Sequence, residues 1–386
     1  MIQAFITPEL VRWARERCHL SVDQAARKLS VKPDQITSWE TGDGFPTIKQ
    51  AQRLAQRLFV PFGYLFLPSP PKEQIPLPDL RTVPGYASEP PSPDFIDLLD
   101  EVLRKQQWYS EHLEEEGREP LGFIGRFNAG DDIKQVSGDI RKTLRIDERL
   151  RTAAVSWEDF LRKLIRNAEE VGILVLRSSI VGNNAHRKLS VAEFRGFVIS
   201  AARAPLVFIN ASDAKAAQIF TLAHELAHLW IGQSGISNLD FRQRIPGQNN
   251  RIEQFCNRVA AEVLVPEEGI VARWTNTRSI EENLQILARY YRVSTLVILR
   301  RAYDLNKLKW NDYINSYEEE IRKQKTKTGE EGGDFYLTLQ SRNSSKLTRA
   351  IVSAAFEGRL LYRDAADFLS VHVMTLEKIA KKVGIR

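Results

Sequence analysis

Cysteine is nearly absent: the 386 residues hold two, Cys18 and Cys256, far apart and in unrelated contexts. That excludes a disulfide framework and fits a reducing compartment, so the expected location is the cytoplasm. Long apolar runs are missing as well. No stretch approaches the ~20 residues a membrane-spanning helix needs. The opening "MIQAFITPEL" lacks the basic start and apolar run of a secretory signal. No membrane role is expected. Charge of one sign is only slightly in excess, with 55 Lys and Arg against 49 Asp and Glu, a net +6. Such a balance tolerates a polyanionic partner without requiring one. Histidine is scarce, at six in the chain, so a close pair of them is informative.

What is present divides the chain into six parts. Residues 1–67 read as a compact helical unit, with apolar residues at helical spacing in "ELVRWARER", "VDQAARKL", "PDQITSWE" and "TIKQAQRLAQRLF". Ser21 is placed to cap the second of these helices, and Pro33 suits the first turn of the third. Residues 68–94 are thick with proline and read as an extended linker. Residues 95–167 return to a helical pattern. Residues 168–316 begin with β-branched runs, "VGILVLRSS", "FRGFVIS" and "APLVFIN", and continue as helices. Residues 317–334 are charged and punctuated by glycine, as a solvated connector would be. Residues 335–386 form a helical tail. The expected fold class is mainly α with a small β-sheet, an α+β arrangement.

The segment "FTLAHELAHLW", Phe220 to Trp230, carries the clearest chemistry. Residues four apart share one helix face, so His224 and His228 can direct two imidazole nitrogens at one metal. Glu225 lies about 100° around the axis, beside them. His-Glu-x-x-His is the zinc metallopeptidase arrangement, two ligands and a carboxylate that handles the proton of the attacking water. Leu222, Leu226 and Leu229 fall on the opposite side and anchor the helix, and Ala223 and Ala227 leave room for a close neighbour. A catalytic zinc takes a third protein ligand. The next helix offers Glu253 and Glu262, nine positions apart and on opposite sides. Glu253 shares its stripe with Asn257, Ala260 and Leu264, where small residues permit close approach. Glu253 is therefore the expected third ligand, Asn257 is placed to hold a ligand histidine by a hydrogen bond, and Glu262 reads as a solvated or ion-paired carboxylate.

With "EQFCNRVAAEVLVP" following it, this helix resembles the ImmA/IrrE zinc metallo-endopeptidases, whose second motif has the form E-x-x-A-N-x-F-A-A-x-L-L-M-P. The glutamate, asparagine, paired alanines and proline are kept, and Cys256, Val259 and Val265 replace the first alanine, the phenylalanine and the methionine. None of these is a proposed ligand, and Cys256 reads as a small buried thiol. The resemblance implies a zincin-like core, a Zn2+ cofactor and selective cleavage of one regulatory protein. In the mechanism so implied, Glu225 accepts the proton of the attacking water and returns it to the departing amine. A substrate strand is expected to pair along the edge provided by "APLVFIN".

"LSVDQAARKLSVKPDQITSWETGDGFPT" is similar to the helix-turn-helix of XRE/Cro-type DNA-binding domains. The resemblance implies a core of Ala25, Leu29, Val31, Ile36 and Trp39, an internal Arg15–Glu40 ion pair, and a recognition helix from Pro33 to Glu40. The candidates for DNA contact are Gln24, Gln35, Thr37 and Ser38, with Lys32 near phosphate. Asp34, Glu40 and Asp43 leave that segment weakly basic, so a dimerisation or protein-binding role is the competing reading. Around "RDAADFLSVHVMTLEKIAKKVG" the tail has a second, poorer helix-turn-helix rhythm made basic by Arg363, Lys378, Lys381, Lys382 and Arg386. It reads either as a packing or partner-binding unit or as a nucleic-acid binder. Two functions fit the whole. One is a DNA-binding transcription regulator whose zinc endopeptidase cuts a repressor, a toxin or itself. The other is a DNA-binding antitoxin or autorepressor whose protease fold mainly grips a partner. In either case the expected partners are DNA and a protein, with a homodimer as the default.

Overall fold

The computed structural model describes residues 2–71, 77–78, 91–237, 248–325, 339 and 341–385. Much of the proline-rich linker and of the charged connector lies outside the described residues. The chain forms two compact units, one of residues 1–76 with 88–100, the other of residues 77–87 with 101–386.

The first unit is built from helices α1 (Pro8–Arg17), α2 (Val22–Leu29), α3 (Pro33–Thr41) and α4 (Ile48–Arg57), with a 3-10 turn at Phe62–Phe66. Short polar punctuation sets the boundaries. The Ser21 hydroxyl accepts from the Gln24 amide while the Gln24 side chain accepts from the Ser21 amide, closing a capping box. Gly42 ends α3 in the left-handed conformation, φ 83°, where glycine carries no Cβ penalty. Ala25, Leu29, Ile36 and Trp39 are buried and Val31 is partly buried, as expected of the core.

Helix α5 (Pro93–Glu115) belongs to the first unit up to residue 100 and to the second beyond it. In the second unit, α6 (Ile133–Thr143), α7 (Glu148–Thr152) and α8 (Trp157–Glu170) precede strands β1 (Leu174–Ser178), β2 (Ile180–Val181), β3 (Asn184–Lys188), β4 (Gly196–Ile199) and β5 (Leu206–Asn210). Helix α9 (Lys215–Trp230), strand β6 (Gly235–Ser237) and helices α10 (Gln248–Leu264), α11 (Glu267–Arg273), α12 (Ile280–Tyr291), α13 (Thr295–Asp304) and α14 (Trp310–Lys325) follow. The tail supplies α15 (Ser345–Phe356), α16 (Tyr362–Leu369), a 3-10 turn at Val373–Thr375 and α17 (Leu376–Val383). The connector expected from residue 317 is thus still helical as far as Lys325.

The four-stranded sheet runs β1-β5-β4-β6, parallel between β1 and β5 and antiparallel elsewhere, and β2 and β3 form a separate hairpin. Alternation sends Val175, Val198, Val207 and Ile209 into the core that also contains α9, while Phe197 and Phe208 stack at 4.9 Å. Side chains on both faces are buried, which is why β4 and β5 read as unbroken apolar runs. This topology corrects one expectation. The strand in "APLVFIN" is β5, hydrogen-bonded on both sides by β1 and β4, so it offers no edge to a substrate. Among the described residues the edges are β1 and β6.

Candidate metal centre

Helix α9 leaves β5 and packs against β4, β5, α6, α8 and α10. Every residue from Gln218 to Trp230 is buried, so Leu222, Leu226 and Leu229 are not a lone anchoring stripe; the whole helix runs through the core. Its two ends are fixed by side chains. The Gln218 amide donates to the Asp213 carbonyl at 2.6 Å, satisfying a polar group near the start of the helix. At the other end the Trp230 indole donates to Asp139 at 2.7 Å and stacks on Phe123.

Inside this apolar sleeve three donors converge. The Nε2 atoms of His224 and His228 are 3.1 Å apart. Glu253 on α10 places carboxylate oxygens 3.2 Å from the first and 3.0 Å from the second. His224, His228 and Glu253 each offer one ligand atom, all within 4.8 Å of one another. Two imidazoles and a carboxylate are a zinc donor set. The residues fit such an ion on a further ground: Glu225, beside them, has both carboxylate oxygens buried without a hydrogen-bond partner, a costly state unless a proton or a polar guest is shared there.

The electrostatics follow from burial. Burial pushes the Glu225 carboxyl up to about 8, against a pull from His224 and a weaker one from the nearby Ser237 hydroxyl. Burial also pushes Glu253 up, but the two imidazoles outweigh it and hold that carboxyl well below its ordinary range. His224 is raised, with Glu253 overcoming burial, and His228 is lowered because burial prevails there. Two imidazoles this close share one proton at most and titrate with Glu253 as a set. Asn257 adds to the upward pull on His224, although its Oδ1 and His224 Nδ1 are both buried without a hydrogen bond of ordinary geometry. Glu262, the other candidate, is buried and paired with Arg301, as an ion-paired carboxylate was expected to be. Cys256 is fully buried with a thiol pKa raised by burial. A carboxylate as basic as Glu225, beside a potential cation-binding triad, can take up and return a proton.

In the first unit, the structure brings Arg15 and Glu40 together through two contacts, Nε–Oε1 at 2.6 Å and Nη2–Oε2 at 3.0 Å. Helix α3 spans the expected recognition segment. Lys32, Gln35 and Thr37 are exposed, and Ser38 is half-buried, with a Cβ at Gly44 reaching within 2.6 Å of its Oγ. Gln24 and Gln35 each spend their side-chain oxygen on a helix cap, accepting from the Ser21 and Lys32 amides. Their amide nitrogens take no part in those caps.

Residues 168–303 match the model of the IrrE N-terminal-like domain, a peptidase family, and residues 11–65 match a helix-turn-helix model. The chain is an XRE-type helix-turn-helix fused to an ImmA/IrrE-like domain. Residues 343–382 match a domain of unknown function. No curated protein matches the chain. The fusion accounts for a DNA-binding unit and a potential metal triad in one polypeptide, and no helix among the described residues is long and apolar enough to cross a membrane.

Sequence reasoning missed three supports of the triad in the IrrE-like domain. Gly196 on β4 lies under α9, and a Cβ there would stand 2.7 Å from Thr221 Cγ2 and 2.8 Å from Glu225 Oε1. Only glycine lets the Glu225 carboxylate rest against the sheet; its signal was a glycine at the start of an otherwise apolar strand. Arg151 and Arg301 are the other two. Arg151 Nη2 donates to the carbonyls of Val263 and Leu264 at 3.3 and 3.0 Å, and Arg301 Nε donates to the carbonyl of Val265 at 3.1 Å. These buried cations satisfy the free carbonyls at the end of α10 and suit its negative pole. Nothing in their sequence context marked them.

Proposed function

We propose that the chain is a cytoplasmic DNA-binding transcriptional regulator whose zinc-dependent endopeptidase cleaves one regulatory protein, a repressor, a toxin or a copy of itself. The observation that carries this is the convergence of His224, His228 and Glu253 beside an unpartnered Glu225. In this reading His224, His228 and Glu253 hold zinc, and Glu225 is the catalytic residue. When bound, zinc supplies a Lewis acid for a peptide carbonyl and lowers the pKa of water. Glu225 takes the proton from the attacking water and delivers it to the departing amine nitrogen. Asn257 orients His224. Gly196 holds open the space that Glu225 occupies.

The substrate strand is assigned to the β6 edge. The outward Ile236 amide of β6 is held by the Pro78 carbonyl at 3.0 Å, so a substrate strand adding to this edge takes over that bond. The N-terminal unit supplies the DNA contacts through Gln24, Lys32, Gln35, Thr37 and Ser38, and two chains pair on a divided site. The domain plan is the six-part division drawn from the sequence.

The decisive experiment compares Glu225→Gln with the wild type. The variant is expected to retain about one zinc per chain and to lose cleavage, and one polypeptide is expected to be cut only in cells carrying the wild type. Cleavage by the variant would remove Glu225 from the reaction. A second reading, an antitoxin or autorepressor that grips a partner without cutting it, is favoured by the complete burial of His224, Glu225 and His228, each 0 % exposed. Under it, Glu225→Gln leaves repression and toxin neutralisation unchanged; loss of both would end that reading.

A further inference from the structure

Helices α15 to α17 repeat the N-terminal helix-turn-helix at a constant separation of 340 positions. Helices α2 and α16 both have eight residues. The buried trio Ala25, Ala26 and Leu29 of the first corresponds to Ala365, Ala366 and Leu369 of the second. The turn that follows is the same in detail. Ser30 is left-handed at φ 57°, ψ 49°, and Ser370 at φ 54°, ψ 47°. The Val31 amide donates to the Ala26 carbonyl at 3.0 Å, and the Val371 amide to the Ala366 carbonyl at 2.9 Å. Beyond the turn, buried Ile36, Trp39 and Glu40 correspond to buried Leu376, Ile379 and Ala380. The preceding helices agree as well, Val11 and Ala14 with Ile351 and Ala354. A serine in the left-handed region is uncommon for a residue with a Cβ, so its recurrence at the same step of the same turn marks one tertiary motif used twice.

The copies differ in what they show to solvent. From residue 32 to 43 the first exposes Lys32 against Asp34 and Asp43, with Glu40 buried, whereas from 372 to 384 the second exposes Lys378, Lys381 and Lys382 against Glu377. Its back is occupied: Asn343 accepts from the buried Lys105 ammonium at 2.7 Å, Ser370 donates to Glu101 at 3.2 Å, and Phe368 lies 5.6 Å from Trp108. Its front is open. His372, Val373, Met374, Glu377, Lys378 and Lys381 are exposed, with Met374 at 89 %.

We propose that residues 343–382 are a second DNA-binding helix-turn-helix, with α17 as its recognition helix. Lys378 and Lys381 neutralise phosphates, and Val373 and Met374, at the entry to that helix, meet thymine methyl groups in a major groove. The chain then has two DNA-reading elements, the C-terminal one being the more electrostatic.

The test uses the full-length protein, wild type at the N-terminal unit, and a mixed-sequence duplex of about three helical turns, titrated by fluorescence anisotropy at several salt concentrations. Lys378→Glu/Lys381→Glu is expected to weaken binding at least ~10-fold at low salt and to reduce the salt slope by about two. Glu377→Lys, a gain of charge at an exposed position, is expected to tighten binding and steepen the slope by about one; it keeps the test decisive if the double variant misfolds. Unchanged affinity and slope in Glu377→Lys and in a folded double variant would overturn the proposal and assign the exposed face, with its apolar Val373 and Met374, to a protein partner.

Discussion

Helices α9 and α3 each carry a short functional motif, and they solve opposite problems. In α9 every residue from Gln218 to Trp230 is buried, and the polar chemistry sits at the centre of the core. In α3 only Ile36, Trp39 and Glu40 are buried, and the polar residues face outward. A metal site needs fixed donors and a dry surrounding, which only packing on all sides supplies. A DNA-reading helix needs one face for its core and another for a groove. Function and stability are therefore coupled tightly in α9 and loosely in α3.

That contrast can be broken by substitution. The largest effect is expected at the triad. His228→Ala should lower bound zinc from about one per chain to under a tenth of that, measured by elemental analysis of the purified chain. Retention of a full equivalent would place the metal elsewhere. Next is the first unit's own buried charge. Arg15→Met leaves Glu40, whose side chain is 6 % exposed, with only the longer Arg12 contact at 3.9 Å, and should cost that unit about 3 kcal/mol, read as a shift of its urea midpoint. A smaller loss would mean that Arg12 suffices as the counter-ion of Glu40. Gly196→Ala should cost about 2 kcal/mol through overpacking against Thr221 and reduce cleavage by displacing Glu225, while zinc content stays unchanged. A variant with full activity would show that Glu225 is not held by that contact. The smallest effect belongs to the exposed face of α3. Thr37→Ala should leave stability within about 0.5 kcal/mol and weaken operator binding roughly 10-fold, as gel shifts would report.

The same contrast explains what could be read without coordinates. Spacing alone put His224 and His228 on one face, and the small-residue stripe through Asn257 and Ala260 selected Glu253 over Glu262. These are local regularities of a helix, and the sequence states them directly. The Ser21 cap was legible for similar reasons, and the Arg15–Glu40 pair through resemblance. The β5 edge was misread because an apolar run shows that both faces are covered, not which strands lie beside it; a run apolar on both faces argues for an interior position. The three-residue β6 carries too few positions for any period to show. Gly196, Arg151 and Arg301 escaped because each acts on a partner far along the chain, and a single sequence carries no mark of which residues meet across such separations.

The two arginines that hold the end of α10 have a consequence for synthesis of the protein. A nascent chain that has reached Val265 already contains His224, Glu225, His228 and Glu253, together with Arg151, but the carbonyl of Val265 and the carboxylate of Glu262 still await Arg301 on α13. Until then Glu262 has no counter-ion to stay buried beside, and α10 lacks one of its two anchors. The ribosome thus makes His224, His228 and Glu253 before it makes the brace that holds the helix bearing Glu253.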